Sequence, residues 1–163
     1  RMSIGYCAAP VITGIGSVSL LLVMIVPSDL RQEAYLAASS FSKEIIKMAD
    51  SILRNKSKEF AKDIIFLCRA LKQNSVEGAL INQLLRCGTS VGANVHEAQY
   101  AQGTKDFISK FEIALKECNE SEYWLELLHE TNSINEVEFK SFQKECIELR
   151  RMLVSSVTTL KKK

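Results

Sequence analysis

From Ser28 to the last residue of the 163-residue chain there is no proline. Proline breaks helices, so this stretch can form long uninterrupted ones. Apolar residues recur along it at steps of three and four. The clearest such seam consists of Phe107, Phe111, Ala114, Cys118, Leu125 and Leu128. Only Ser121 interrupts its heptad spacing, which is typical of a helix in a bundle.

Similar seams predict three further helices. The four predicted helices cover about residues 57–73, 76–100, 104–131 and 136–160, and Ser57 is the expected N-cap of the first. Asn135 and Glu138 have the spacing of a capping box that opens the fourth. Gly88 and Gly92 lie four apart on the second helix and permit close approach of a neighbouring backbone. The connections between these four predicted helices are short, and short connections favour antiparallel neighbours. The predicted fold is therefore an all-α, antiparallel up-down-up-down four-helix bundle.

The first 47 residues differ from the rest, since residues 2–28 carry no charge. A signal peptide would need a basic n-region, and Arg1 is the only basic residue among residues 1–28. A membrane anchor over residues 7–26 would be long enough, but it is rich in Gly and Ser. A third interpretation is that these residues lie upstream of the native start at Met48. We favour the third, with residues 1–47 dispensable and residues 48–163 as the bundle domain.

No pattern of residues predicts catalysis. His96 and His129 lie on different helices, and neither has the partners of a known catalytic motif. Glu126 and His129 form a single Glu-x-x-His, whereas di-iron bundles use that motif twice. The glycines lack the spacing of a phosphate-binding loop. We therefore expect no enzymatic activity and no small-molecule substrate.

The chain has five cysteines and no Cys-x-x-Cys pair. Four of them fall on different predicted helices, namely Cys68, Cys87, Cys118 and Cys146. One interpretation is that they are free core thiols in a reducing cytoplasm. The alternative is a tetrathiolate metal site, but such sites normally use closely spaced ligand pairs. No metal or other cofactor is predicted.

Three segments carry a resemblance to a known family: Ser90–Ala98 (SVGANVHEA), Asp106–Glu117 (DFISKFEIALKE) and Tyr123–Leu128 (YWLELL). The chain resembles the four-helix bundle proteins encoded within 23S ribosomal RNA intervening sequences. It is also similar to their relatives, the accessory variability proteins of diversity-generating retroelements. The resemblance covers about residues 48–163 and implies a homo-oligomer, a pentameric ring. For the retroelement type it further implies a reverse transcriptase and its RNA as partners, and the sequence leaves both types open.

Asn94 and Glu97 match the Asn and Glu of that family's Ser-x-x-x-Asn-x-x-Glu signature. Residues three apart share one face of a helix. A buried hydrogen-bonded network that fixes helix register or a subunit interface is the favoured interpretation. The alternative is contact with a ligand.

The net charge is only +2, but its distribution is uneven. In the predicted topology the end of the bundle formed by residues 54–63, 87–113 and 149–163 carries 11 basic and five acidic residues. Residues 64–86 and 114–148, which form the other end, carry six basic and ten acidic residues. A basic end favours phosphate binding. The alternative interpretation is that the terminal lysines only solvate a tail or complement the dipole of the last helix. The predicted nucleic-acid contacts are Lys56, Lys58, Lys62, Arg150, Arg151, Lys161, Lys162 and Lys163.

Together these patterns predict a cytoplasmic, non-enzymatic oligomeric bundle that binds RNA or DNA. The alternative function is that of a membrane-anchored helical-bundle interaction protein, with residues 7–26 as the anchor.

Overall fold

The computed structural model describes residues 31–161, and every element in that part of the chain is helical. The four helices are α1 (Arg31–Gln73), α2 (Gly78–Ala98), α3 (Thr104–Glu130) and α4 (Glu136–Lys161). The predicted all-α bundle is thereby confirmed. The charge-free segment of residues 2–28, including the proposed anchor at residues 7–26, lies outside the described residues.

Helix α1 begins far earlier than predicted. The expected N-cap, Ser57, is wrong: it is fully buried in the middle of α1, and its Oγ donates to the carbonyl oxygen of Arg54 at 3.0 Å. Neither glycine nor proline occurs between residues 31 and 73, so nothing in the backbone ends the helix there.

The chain divides into two compact units, one ending at Met48 and the other beginning at Ala49. In the first unit, exposed large apolar side chains include Leu36 and Phe41. The second unit contains the remaining length of α1 and the whole of α2, α3 and α4.

The core of the second unit is built from buried side chains of all four helices. Its largest fully buried side chains include Phe60, Leu84, Phe111 and Leu149, one from each helix. Ser121, which interrupts the seam of α3, is also fully buried, and its Oγ donates to the carbonyl oxygen of Glu117 at 2.8 Å. The hydroxyl therefore occupies a core position because its own helix satisfies it.

Contacts between α1 and α4 show that these helices run antiparallel. Lys56 Nζ lies 2.8 Å from Glu148 Oε2. One turn further along α1, the ring of Phe60 packs edge-on against Phe142, with centroids 6.5 Å apart. The contact thus moves forward along α1 and backward along α4.

Helices α2 and α3 also run antiparallel. Lys110 Nζ is 2.6 Å from Glu97 Oε2 near the end of α2, whereas Arg86 Nη1 is 3.4 Å from Glu117 Oε2 nearer the start of α2.

The predicted capping box opens α4: the Glu138 N–H donates to Asn135 Oδ1 at 2.9 Å, and the Asn135 N–H donates to Glu138 Oε2 at 3.1 Å.

Two glycines set the distance between α1 and α2. A Cβ on Gly88 would lie 2.8 Å from Cγ2 of Ile64, and one on Gly92 would lie 3.1 Å from the carbonyl oxygen of Ser57. A side chain at either position would push the helices apart. The expectation that this pair permits close backbone approach is confirmed.

Candidate nucleic-acid interface

Six of the eight cations predicted to contact nucleic acid lie within the described residues. Four of them form ion pairs with acidic side chains: Lys56 with Glu148, Lys62 with Glu59, Arg150 with Glu122, and Lys161 with Glu112. Lys58 and Arg151 are exposed and have no ion-pair partner among the described residues. Lys162 and Lys163 lie outside that part of the chain.

Arg150 acts mainly as a link between helices. Its Nη1 lies 2.6 Å from Glu122 Oε2 and donates to Asn119 Oδ1 at 3.2 Å, both on α3. The side chain of Glu122 is only 16% exposed, so the pair is partly shielded from water. The hydrogen bond to Glu122 raises the pKa of Arg150 above its usual range. Arg150 is therefore engaged in holding α4 against α3.

The charges of the bundle are sorted by helix pair as well as by bundle end. Residues 49–98 carry seven basic and five acidic residues, whereas residues 104–161 carry eight basic and eleven acidic ones. The positive surplus of the described bundle therefore lies on α1 and α2, and the acidic surplus lies on α3 and α4.

Four cations form a row along α1, which we call the basic stripe. They are Arg54, Lys58, Lys62 and Arg69, and all four are exposed. Steps of four, four and seven residues keep side chains on one face of a helix. The stripe therefore places four basic side chains on one face, with a gap of about two turns between Lys62 and Arg69.

The neighbours of the stripe place it beside α2. Ala61 lies within the same face, and its Cβ would be 3.7 Å from a Cβ on Gly92. Lys58 comes one turn before Ala61, and Lys62 directly follows it. The stripe thus borders the outer edge of the contact between α1 and α2.

The opposite flank of α1 faces α4 and holds different charges. Lys56 on that flank pairs with Glu148. Asp63 follows seven residues later on the same side, close enough to Glu145 to raise the pKa of that carboxyl group, to which burial makes the largest contribution. The side of α1 toward α4 is consequently mixed in charge, and the side toward α2 is basic.

Two exposed aromatic rings lie on α1 and just after α2. Tyr100 is 78% exposed and packs against His96, with ring centroids 5.5 Å apart. Phe66 is 58% exposed, and the guanidinium carbon of Arg69 lies 5.7 Å from its ring centroid. Sequence reasoning missed Arg69 because it counted charge by bundle end, although the seven-residue step from Lys62 puts both on one face.

Asn94 and Glu97 do not form a buried network in the described part of the chain. Asn94 is half-buried, and its Nδ2 donates to the carbonyl oxygen of Ser90 in its own helix at 2.9 Å. Glu97 is exposed and pairs with Lys110 of α3. The shared helix face is real, but it opens outward beside α3, and the long Glu97 side chain reaches a cation there. A role between copies of the chain stays a prediction.

The four predicted core cysteines are buried and free. Burial raises the pKa of the Cys68 thiol to about 11, and burial is also the main cause of the raised pKa of Cys87. Cys118 Sγ donates to the carbonyl oxygen of Cys146 at 3.5 Å. Within residues 31–161, no group of three or more His, Cys, Asp or Glu side chains is arranged to hold a metal ion.

The single Glu-x-x-His has a structural setting. His129 stacks on Phe139, with centroids 4.7 Å apart, and its Nε2 lies 2.7 Å from Glu136 Oε2. These contacts join the end of α3 to the start of α4.

Among the described helices, none is long and apolar enough to cross a membrane.

The sequence profile described as 23S rRNA-intervening sequence protein matches residues 49–155. The chain belongs to this family. The family region coincides with the second compact unit and includes the whole basic stripe, whereas Lys161, Lys162 and Lys163 lie beyond it.

A solved structure has a similar fold. It is a Bacteroides thetaiotaomicron protein described as having unknown function and belonging to the S23 ribosomal protein family. The two chains are 43% identical, with a TM-score of 0.66 over 68% of this chain and 98% of that one. No curated protein matches the chain.

Proposed function

We propose that this member of the 23S rRNA-intervening sequence protein family is a non-enzymatic, cytoplasmic homo-oligomer that binds nucleic acid. The observation that carries the proposal is the basic stripe on α1. Lys58 and Arg69 are exposed there without ion-pair partners among the described residues, and Lys62 is half-exposed despite its pair with Glu59.

Phosphate groups are the ligand that such a row suits best. Lysine and arginine side chains on one helix face neutralise successive phosphates and release their counterions. Between residues 78 and 98, α2 contains one acidic residue, Glu97, and that residue pairs with α3. The α2 border of the stripe therefore adds little repulsion toward an anionic ligand.

The cations near the end of α4 form a separate and weaker candidate surface. Arg150 and Lys161 pair with acidic residues of α3, so they lie on the α3 side of α4. Arg151 is exposed beside them. We propose that Arg151 and residues 161–163 add long-range attraction, with the basic stripe making the principal contact.

Assembly into a ring, which the resemblance to this family implies, would repeat the stripe around the oligomer and add the fields of its copies. If the chain is of the retroelement type, the nucleic acid is RNA held together with a reverse transcriptase. A reverse transcriptase gene and template repeat beside the coding sequence would identify that type. A surrounding ribosomal RNA gene would identify the other.

Fluorescence anisotropy with labelled RNA tests the proposal. Affinity should fall by about 100-fold between roughly 50 and 200 mM salt, because several phosphate contacts release counterions. A variant carrying Lys58→Gln, Lys62→Gln and Arg69→Gln should bind more weakly and have a salt slope shallower by about three.

The matched control removes three positive charges from α3 and α4, the acidic half of the bundle, through Lys116→Gln, Lys140→Gln and Lys144→Gln. It should change binding little. A third variant, with Arg151 and residues 161–163 changed to Gln, should have an intermediate effect. Equal losses from the stripe variant and the control would contradict the stripe as the contact surface, and no binding by the parent at low salt would contradict the function.

A further inference from the structure

One exposed aromatic ring, Phe66, lies beside Arg69 of the basic stripe, and another, Tyr100, follows the end of α2. Gly92 lies opposite Ser57 and Gly88 opposite Ile64, so the beginning of the stripe is level with the end of α2. Tyr100, which follows α2, therefore lies toward the Arg54 end. Phe66 lies at the other end, beside Arg69.

These rings are unusually accessible for such large side chains. Tyr100 and Phe66 are the second and third most exposed of the large apolar or aromatic residues described in the second unit, at 78% and 58%, after Val137 of α4 at 80%. His96 lies beside Tyr100, and the guanidinium group of Arg69 lies over the ring of Phe66. An exposed aromatic ring close to basic side chains is an arrangement on which an unpaired base stacks.

Small residues form part of the contact between α1 and α2 beside the stripe. Ala61 of α1 and Gly92 of α2 meet in that contact, and neither carries a side chain beyond Cβ. From Arg54 to Arg69 the stripe spans 15 residue steps, which is roughly 22 Å at the rise of an α-helix. Several nucleotides of an extended strand fit along that length.

We propose that the α1–α2 face binds a single, unpaired nucleic-acid strand. The basic stripe contacts the phosphates, and Phe66 and Tyr100 stack on bases at its two ends. This inference rests on the proposed function and specifies the ligand of the same surface. In a duplex the bases stack on one another inside the helix, so no base would be available to stack on Phe66 or Tyr100.

The test compares one labelled RNA of about 12 nucleotides as a single strand and as a blunt duplex. Phe66→Ala and Tyr100→Ala should each weaken single-strand binding by about fivefold or more, because one base loses its stacking partner. Duplex binding should stay within about twofold. Lys58→Gln should weaken binding of both RNAs, since phosphates are common to both.

Tyr123→Ala is the matched control, because Tyr123 is a 52% exposed ring on α3, in the acidic half of the bundle. It should leave both affinities unchanged. Circular dichroism melting checks that each variant is folded, since all three rings are exposed and their loss should barely affect stability.

The outcomes separate this inference from the function on which it rests. If the parent binds neither RNA, the proposed function fails. If the parent binds the duplex as tightly as the single strand, or if Phe66→Ala and Tyr100→Ala behave like Tyr123→Ala, the single-strand inference is overturned while nucleic-acid binding stands. Selective loss of single-strand binding in the two ring variants supports it.

Discussion

Gly88 of α2 lies against Ile64 of α1 so closely that a Cβ on the glycine would be 2.8 Å from Cγ2 and 2.9 Å from Cγ1 of the isoleucine. Ile64 is fully buried, and a β-branched side chain in a helix has essentially one rotamer. We therefore expect Gly88→Ala to destabilise the bundle by about 1–2 kcal/mol, even though alanine favours helix by about 1 kcal/mol. Urea unfolding measures this difference.

Gly78 provides the matched control, because a Cβ there would have nothing within 4 Å. Gly78→Ala should be neutral or slightly stabilising. In the double variant Gly88→Ala/Ile64→Ala the cost should be smaller than the sum of the two single costs, since the clash is removed with the Cγ atoms. Strict additivity would show that Gly88 and Ile64 do not limit the approach of α1 and α2.

The Arg150–Glu122 pair should matter for stability. Arg150→Gln should destabilise the protein by about 1–2 kcal/mol, because it leaves a largely buried carboxylate without its charged partner. Lys161→Gln breaks an ion pair whose side chains are both about half-exposed, and such pairs are worth about 0–1 kcal/mol. Thermal melts of both variants test the contrast, and equal effects would contradict the linking role of Arg150.

Glu145 makes stability depend on pH. Burial, and after it the neighbouring Asp63, raises the pKa of Glu145 above its ordinary value of 4.5, and Lys56 opposes this only in part. The folded state therefore holds the proton at higher pH than the unfolded chain. The charged form reduces stability above the folded pKa, and that loss disappears as the pH falls through it.

Glu145→Gln should accordingly raise the melting temperature at neutral pH. The advantage of the variant should shrink as the pH is lowered toward 4.5 and below, where the parent is protonated as well. A difference in melting temperature between variant and parent that stays constant from neutral pH to pH 4 would show that the charged carboxylate of Glu145 does not reduce stability.

The buried thiols should be inert in the folded protein. With a pKa of about 11, Cys68 is almost entirely protonated at neutral pH, and the thiolate is the reactive form. In a Cys7→Ser variant, the four remaining thiols should react with a thiol reagent only on unfolding. Rapid reaction of any of them under native conditions would contradict their burial.

Local sequence patterns predicted much of the fold. The seam of α3 is buried at Phe111, Ala114, Cys118, Leu125 and Leu128, and the Asn135–Glu138 capping box opens α4. These features depend on neighbours a few residues apart, so their spacing suffices. The start of α1 was wrong because Ser57 resembles an N-cap, while its burial against α2 depends on a residue 35 positions away, Gly92.

The candidate site depended more on tertiary contacts. Whether Lys56 or Lys161 is available to a ligand is decided by Glu148 and Glu112, which lie on other helices. Long side chains make such pairs only after the helices have packed, and spacing along one helix does not reveal them. Arg69 was recoverable from spacing alone, by following the face of Lys62 along α1.

Light scattering of the chain, alone and with RNA, most directly tests the claim of an oligomer that binds nucleic acid. The monomer mass is 18.3 kDa. We predict a discrete multiple of that mass without RNA and a heavier complex with single-stranded RNA that dissociates at high salt while the protein oligomer persists. A particle of 18.3 kDa whose mass RNA does not change at low salt would contradict the account.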